Sequence, residues 1–142
     1  MTWDQYHSQS EQYASSAEMA SKRRDYDRAK RLYWLAAEQE ELALSALDQN
    51  ETRGIGIIAV SAAALWYKAG EYDRAKDLAL RSLQTSLLPP FAIHQLQELL
   101  SEVARIEKVL EAMEEWRTSA PISSSAGEML TKAVEEWRAS AA

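Results

Sequence analysis

The chain has 142 residues, of which 46% are hydrophobic and 27% are charged, so it is long enough for one globular domain with its own core. It contains no cysteine, which excludes disulfides, thiol catalysis and zinc–thiolate sites. Its net charge of −6 argues against nucleic acid as the main partner. The N-terminus lacks a signal-peptide pattern and the most apolar run, 55–66, is too short to span a bilayer, so we expect a cytoplasmic protein without a membrane partner.

Small and apolar residues recur at helical spacing through the first half of the chain. Four helices are predicted there, with bounds of about Thr2–Arg24, Asp25–Leu47, Thr52–Ala69 and Glu71–Thr85. Thr2 and Gln5 form a capping box at the start of the first helix. Gly70 ends the third, since glycine is the residue best able to adopt the left-handed turn that stops a helix. A connection this short makes the third and fourth helices antiparallel neighbours.

Pro89 and Pro90 end the fourth helix and start the next, and a long fifth helix is predicted from Phe91 to about Arg117. Its apolar residues alternate in steps of four and three, a heptad pattern that predicts contact with neighbouring helices. This heptad seam consists of Ala92, Leu96, Leu99, Val103, Ile106, Leu110 and Met113. We expect the fifth helix to cap the helices before it, and its seam to face more than one neighbour.

The C-terminal part is predicted as a flexible linker, 118–125, followed by an amphipathic helix, 126–142, that carries Trp137. We expect this helix to cover the heptad seam; filling a groove in its own chain and pairing with a second chain are the alternatives. The tetrapeptide Glu-Glu-Trp-Arg occurs at 114–117 and again at 135–138. Local composition is the preferred interpretation of this repeated tetrapeptide, and a shared docking role is the alternative.

One short motif occurs twice in the chain. Asp25–Lys30 and Glu71–Lys76 agree at five of six positions, and their tyrosines, Tyr26 and Tyr72, are 46 residues apart. A period in this range indicates a helical repeat. Each copy is therefore expected to mark a bend at which one helix ends and the next begins.

Small and aromatic residues around the second copy follow the order of a known repeat, at Ala63, Trp66, Gly70, Tyr72, Ala75 and Ser82. This pattern resembles the tetratricopeptide repeat (TPR). The first copy matches it at Tyr13, Ala17, Ala20, Tyr26, Ala29, Tyr33 and Ala36. It departs from the family at Arg24, where glycine is usual, and in its longer period. The resemblance implies an all-α fold of about six helices, in which residues 1–117 form antiparallel helical hairpins with a capping helix.

The resemblance also implies a function. In TPR proteins the first helix of each hairpin lines a groove, which suits a peptide or an amphipathic helix. The residues that it places in this groove are Glu11, Ala14, Glu18, Lys22, Val60, Ala64, Tyr67 and Lys68. Packing of Val60, Ala64 and Tyr67 as core is the alternative interpretation. We therefore predict a non-catalytic protein–protein interaction module, an adaptor or assembly protein, with a protein or peptide partner.

Self-association is the alternative function. The chain would then form a homodimer through the seam residues Leu96 to Met113, or through an exchanged C-terminal helix that carries Trp137. A structural protein of this kind would need no other partner.

Basic residues cluster around the first bend, at Lys22, Arg23, Arg24, Arg28, Lys30 and Arg31. Such a cluster could receive an acidic or phosphorylated segment of a partner. The preferred interpretation is a solvated helix corner in which Asp25 and Asp27 pair with these cations.

Catalytic and cofactor motifs are not found in the sequence. His7 and Glu11 lie four residues apart on one helix face, as do His94 and Glu98. The two pairs could hold a metal only if they met, and their apparent surface positions disfavour that. We therefore predict no enzyme activity, no cofactor and no metal site.

Overall fold

The computed structural model describes residues 1–119 and 124–141, with side chains described for 1–119 and 127–140. All regular structure in those residues is helical, which confirms the predicted all-α fold class. The described helices are α1 (Trp3–Lys22), α2 (Tyr26–Ala46), α3 (Thr52–Lys68), α4 (Tyr72–Gln84), α5 (Pro90–Ser119) and α6 (Ser124–Ala141). None of them combines the length and the hydropathy that crossing a membrane requires.

Two turns of the same geometry reverse the chain after α1 and after α3. Arg24 and Gly70 occupy the left-handed region, with φ of 61° and 76°. In both turns the amide of the next residue donates to the carbonyl five residues back, at 2.9 Å. This is a Schellman motif, in which one left-handed residue closes a helix and lets the chain turn back. Tyr26 and Tyr72 are consequently the first residues of α2 and α4, beside the two reversals, as the repeated motif predicts.

The helix α2 packs against both α1 and α3, and the small side chains between them allow close approach. The Ser10 hydroxyl donates to the backbone carbonyl of Ala36 at 2.8 Å, so α1 and α2 lie close enough for side chain to reach backbone. On the α3 side, the rings of Trp34 and Trp66 meet edge to face with centroids 5.4 Å apart. The fully buried alanines at these contacts are Ala17, Ala36, Ala37, Ala62 and Ala63.

The helix α5 runs in the same direction as α3 and packs against α3 and α4. Its start is held close to α3 because Gly56 has no side chain: a Cβ there would lie 2.8 Å from Pro89. Further along, Val103 and Ile106 are buried against the Tyr72 ring of α4. The start of α5 is thus close to α3 and its middle packs on α4. The helix α5 therefore covers the hairpin that α3 and α4 form.

The heptad seam packs against helices of its own chain. Leu96, Val103 and Ile106 are no more than 3% exposed, and Leu99 and Leu110 are partly buried against the same core clusters. The seam faces α3 and α4 because its wide apolar surface needs two neighbours to cover it. A dimer through these residues would first have to separate α5 from its own chain, and the self-association alternative stays a prediction.

The helices extend further than predicted at both ends of the linker. Thr118 and Ser119 belong to α5, where their hydroxyls donate to the carbonyls of Glu114 and Glu115 at 3.0 and 2.7 Å. These bonds let polar residues continue a helix for another turn. Residues 124 and 125 belong to α6, so only part of the predicted linker lies between the helices. Residues 120–123 lie outside the described part.

The two turns differ in strain, and this can be measured. Replacing Arg24 by glycine is expected to raise the free energy of unfolding by about 0.5–1 kcal/mol, because the left-handed strain of about 1–2 kcal/mol exceeds the flexibility that glycine adds to the unfolded chain. Gly70→Ala should lower it by about 1–2 kcal/mol for the converse reason. Urea unfolding measures both. Arg23→Gly is the control, since its φ of −85° carries no such strain; a stabilisation at Arg23 as large as at Arg24 would contradict this account.

Candidate functional site

Tyr33 lies where the C-terminal parts of α1 and α3 flank α2. Its ring is 8% exposed, and the ammonium of Lys68 on α3 lies 5.6 Å from the ring centroid. Burial raises the pKa of the Tyr33 hydroxyl, and the charge of Glu18 on α1 raises it further. Two residues predicted for the groove, Glu18 and Lys68, thus come together with opposite charges on either side of an aromatic floor. We call this surface the α1–α3 groove.

The other predicted groove residues are divided between this surface and its surroundings. Ala14, Val60 and Ala64 are partly buried, and Ala14 and Val60 pack on the main core beneath. They therefore contribute to the core and to the groove surface at once. Glu11 and Lys22 are exposed, and Lys22 forms a loose ion pair with Glu18 at 3.9 Å.

Tyr67 is the predicted groove residue of α3 that lies next to α4 and α5. Its ring meets that of Tyr72 edge to face, with centroids 5.5 Å apart, and it packs on the core clusters that α3, α4 and α5 share. Burial, and then the charge of Glu102 on α5, raise the pKa of Tyr67. Tyr67 follows Val60 by seven residues, about two helical turns, so the two lie on nearly the same face of α3. Its contacts with α4 and α5 favour the alternative in which Tyr67 packs as core, and its place in the groove stays a prediction.

A buried carboxylate joins the three helices beneath the groove. Glu40 on α2 is 1% exposed; its Oε1 lies 2.7 Å from Nδ1 of His7 on α1, and its Oε2 accepts a hydrogen bond of 2.6 Å from the Ser61 hydroxyl on α3. Both carboxylate oxygens are thus satisfied, as burial of a charged group requires. Glu40 is absent from the residues predicted from the sequence, although it falls in the buried stripe of α2, which is Ala29, Tyr33, Ala36, Glu40, Ala43 and Leu47.

His7 is a partner of Glu40, and not the surface residue that the sequence suggested. It is partly buried, and its Nε2 lies 3.2 Å from Glu11 while its Nδ1 meets Glu40. Burial by itself lowers the pKa of His7, but the hydrogen bond and charge of Glu40, followed by those of Glu11, outweigh it and raise the pKa above its ordinary value.

The arrangement at His7 does not suit metal binding or nucleophilic catalysis. The two ring nitrogens point to two different carboxylates, so these groups do not converge on one point. His94 and Glu98 form a separate exposed pair, 3.0 Å apart. Among the described residues no three histidine or carboxylate side chains are grouped as metal ligands would be. Ser61 donates to Glu40 and not to a histidine, so Ser61, His7 and Glu40 do not have the order of a Ser–His–Asp triad.

The basic cluster at the first bend is not neutralised by its own aspartates. Asp25 accepts from the backbone amide of Arg28 at 3.3 Å, so it caps α2. In the described part of the chain no carboxylate lies within ion-pair distance of the following cations: Arg23, Arg24, Arg28, Lys30 and Arg31. The predicted pairing with Asp25 and Asp27 is therefore wrong, because helix capping takes Asp25 away from it.

The C-terminal helix α6 packs on α2 and on the end of α5. Its Arg138 lies over the Tyr72 ring, with the guanidinium carbon 5.7 Å from the centroid. Burial raises the pKa of Tyr72 to about 12, which the positive charge of Arg138 partly counteracts. Trp137 remains 36% exposed. The helix thus covers the outer end of the heptad seam and the second turn.

Comparison with known proteins gives no match to a family model, a curated protein or a solved structure. The resemblance to TPR proteins stays a prediction from the repeated motif.

Removal of the Glu40 carboxylate should destabilise the fold. Glu40→Ala leaves His7 and Ser61 without their shared partner and is expected to lower the free energy of unfolding by about 2–3 kcal/mol. Glu11→Ala removes the exposed partner of the same histidine and should cost less than about 1 kcal/mol. Chemical unfolding of both variants makes the comparison, and equal losses would show that Glu40 has no special role.

The raised pKa of His7 predicts how stability depends on pH. The stabilisation from protonated His7 is complete below the unfolded-state pKa of about 6.5 and is lost as pH rises through the higher folded-state pKa. The melting temperature should therefore fall between about pH 6 and pH 8, and His7→Gln should flatten this part of the curve. His94→Gln, at the exposed pair, should leave the curve unchanged. A slope that survives in His7→Gln would assign it to other groups.

Proposed function

We propose that this protein is a non-catalytic protein–protein interaction module that binds an amphipathic helix or peptide of a partner in the α1–α3 groove. The observation that carries the proposal is the position of Tyr33 between Glu18 and Lys68. An apolar floor between charged rims of opposite sign is complementary to a helix with an apolar stripe and charged flanks.

The framework beneath the groove favours the same function. Glu40 ties α1, α2 and α3 together, so the groove is formed before a partner arrives and little entropy is lost in shaping it. The partner segment itself must become ordered, which reduces the net affinity. We therefore expect dissociation constants on the order of micromolar. A TPR-like adaptor or assembly role fits this behaviour, and the proposal keeps the cytoplasmic location predicted from the sequence.

The test begins with helix-forming peptides selected by display on the full-length protein. Binding of the selected peptides is then compared between wild type, Ala64→Glu and Lys68→Glu by fluorescence anisotropy. Each substitution should weaken binding at least about tenfold, which is 1.4 kcal/mol, since one puts a charge on the groove surface and the other reverses a rim charge.

Matched controls are Ala46→Glu, at an exposed alanine that ends α2, and Lys108→Glu, at an exposed lysine of α5. Both should bind within about twofold of wild type, and circular dichroism checks that all four variants are folded. Peptides that bind Ala64→Glu and Lys68→Glu as tightly as wild type would place the site elsewhere and refute the groove.

A further inference from the structure

The two copies of the repeated motif have the same charges but different surroundings. In the second copy the guanidinium of Arg74 lies over the rings of Trp66 and Trp34, at 4.7 and 5.2 Å from their centroids. Lys76 forms an ion pair with Glu107 at 3.7 Å. Both cations of the second copy therefore have partners within the chain.

The equivalent cations of the first copy, Arg28 and Lys30, have no such ion pair in the described residues, and neither do Arg23, Arg24 and Arg31. We call these five residues the basic platform. The segment 22–31 has six basic and two acidic residues, in a chain whose net charge is −6. A concentration of cations without partners, on an otherwise acidic protein, creates a local field that attracts carboxylates.

An acidic helix of the same chain already lies against this platform. A cavity of about 370 Å³ lies between the first bend and α6: Arg24 and Lys30 line it beside Asp25 and Asp27, and on α6 Glu135 and Glu136 line it beside Lys132. The opposite charges face each other across the cavity but do not come within ion-pair distance. Charge complementarity is thus present without close contact.

The contact between α6 and the rest of the chain is loose on its other side as well. A second cavity, of about 260 Å³, lies between α5 and α6. The Tyr72 hydroxyl and the Nε of Arg138 are buried and have no hydrogen-bond partner among the described residues. Lys30 and Arg138 both lie against Gly70, where a Cβ would be 3.2 Å from Lys30 and 3.6 Å from Arg138. Voids, unpaired polar atoms and neighbouring cations all weaken an interface.

We propose that the basic platform is a docking surface for an acidic amphipathic helix of a partner protein, and that α6 covers it in the free protein as an intramolecular stand-in. The partner helix would carry adjacent carboxylates, as Glu135 and Glu136 do, and would displace α6 by filling the cavity with closer ion pairs. Tethering gives α6 a high effective concentration, so a weak contact is enough to hold it until a better-fitting helix competes. This surface is separate from the α1–α3 groove and does not depend on the function proposed for it.

The test uses full-length protein and a fluorescent synthetic peptide of residues 124–142 as the probe. In the Glu135→Lys/Glu136→Lys variant, α6 should leave the platform, and the peptide should bind about tenfold more tightly than to wild type, because the platform is open. Glu128→Lys is the control, at an exposed glutamate of α6 away from the first bend, and should behave as wild type. Amide hydrogen exchange in residues 127–140 should rise only in the double variant.

The platform is tested in the opened protein. Adding Arg24→Glu and Lys30→Glu to the double variant should reduce peptide binding at least tenfold, and Arg28→Glu with Arg31→Glu is a second pair at exposed positions in case the first impairs folding. Arg53→Glu with Lys108→Glu, at exposed cations elsewhere, should leave binding unchanged.

Four outcomes would overturn the proposal. The first is peptide binding that does not increase in Glu135→Lys/Glu136→Lys, and the second is peptide binding that survives both platform variants. The third is a doubled mass of wild-type protein by light scattering that is lost in Glu135→Lys/Glu136→Lys, since α6 would then belong to a second copy. The fourth is tighter binding of a short single-stranded oligonucleotide than of the peptide, since the platform would then be a nucleic-acid site.

Discussion

The arrangement of the first three helices depends on one buried carboxylate. Glu40 sits in the apolar stripe of α2, where burial without partners would be strongly unfavourable. Its two oxygens are satisfied only when His7 of α1 and Ser61 of α3 are both in place. A helix that slid by one turn along α2 would lose its bond to Glu40. Alanine side chains are small and alike, so their packing alone does not fix how α1 and α3 align along α2. The hydrogen bonds to Glu40 supply that specificity.

The repeated motif shows how similar segments acquire different tasks. Both copies form the same left-handed turn, because the hydrogen bonds of a Schellman motif involve only backbone atoms. What the side chains do then depends on their neighbours. Arg74 and Lys76 have Trp rings and Glu107 beside them, whereas Arg28 and Lys30 face solvent and α6. The proposed basic platform is therefore a consequence of position in the fold, since the motif itself is the same.

The two proposed surfaces lie on different parts of the hairpin array. The proposed α1–α3 groove has the Tyr33 ring as its floor and rims of opposite charge at Glu18 and Lys68. The basic platform has five cations beside Asp25 and Asp27, and Arg24 and Lys30 face α6 across a cavity. A protein with both could hold one partner constantly and admit a second only when α6 is displaced, which is a useful property in an assembly factor.

The sequence by itself determined the number of helices, their approximate bounds and the two bends, because these depend on local spacing, on glycine and proline, and on backbone geometry that acts within a few residues. It also indicated that α5 would face more than one neighbour. It did not identify Glu40, whose need for partners becomes visible only when α1 and α3 approach it. It also assigned Asp25 to charge pairing, whereas capping of α2 uses it. Only the tertiary structure decided which charges are paired and which stay unpaired, because that depends on side chains distant in sequence that packing brings together.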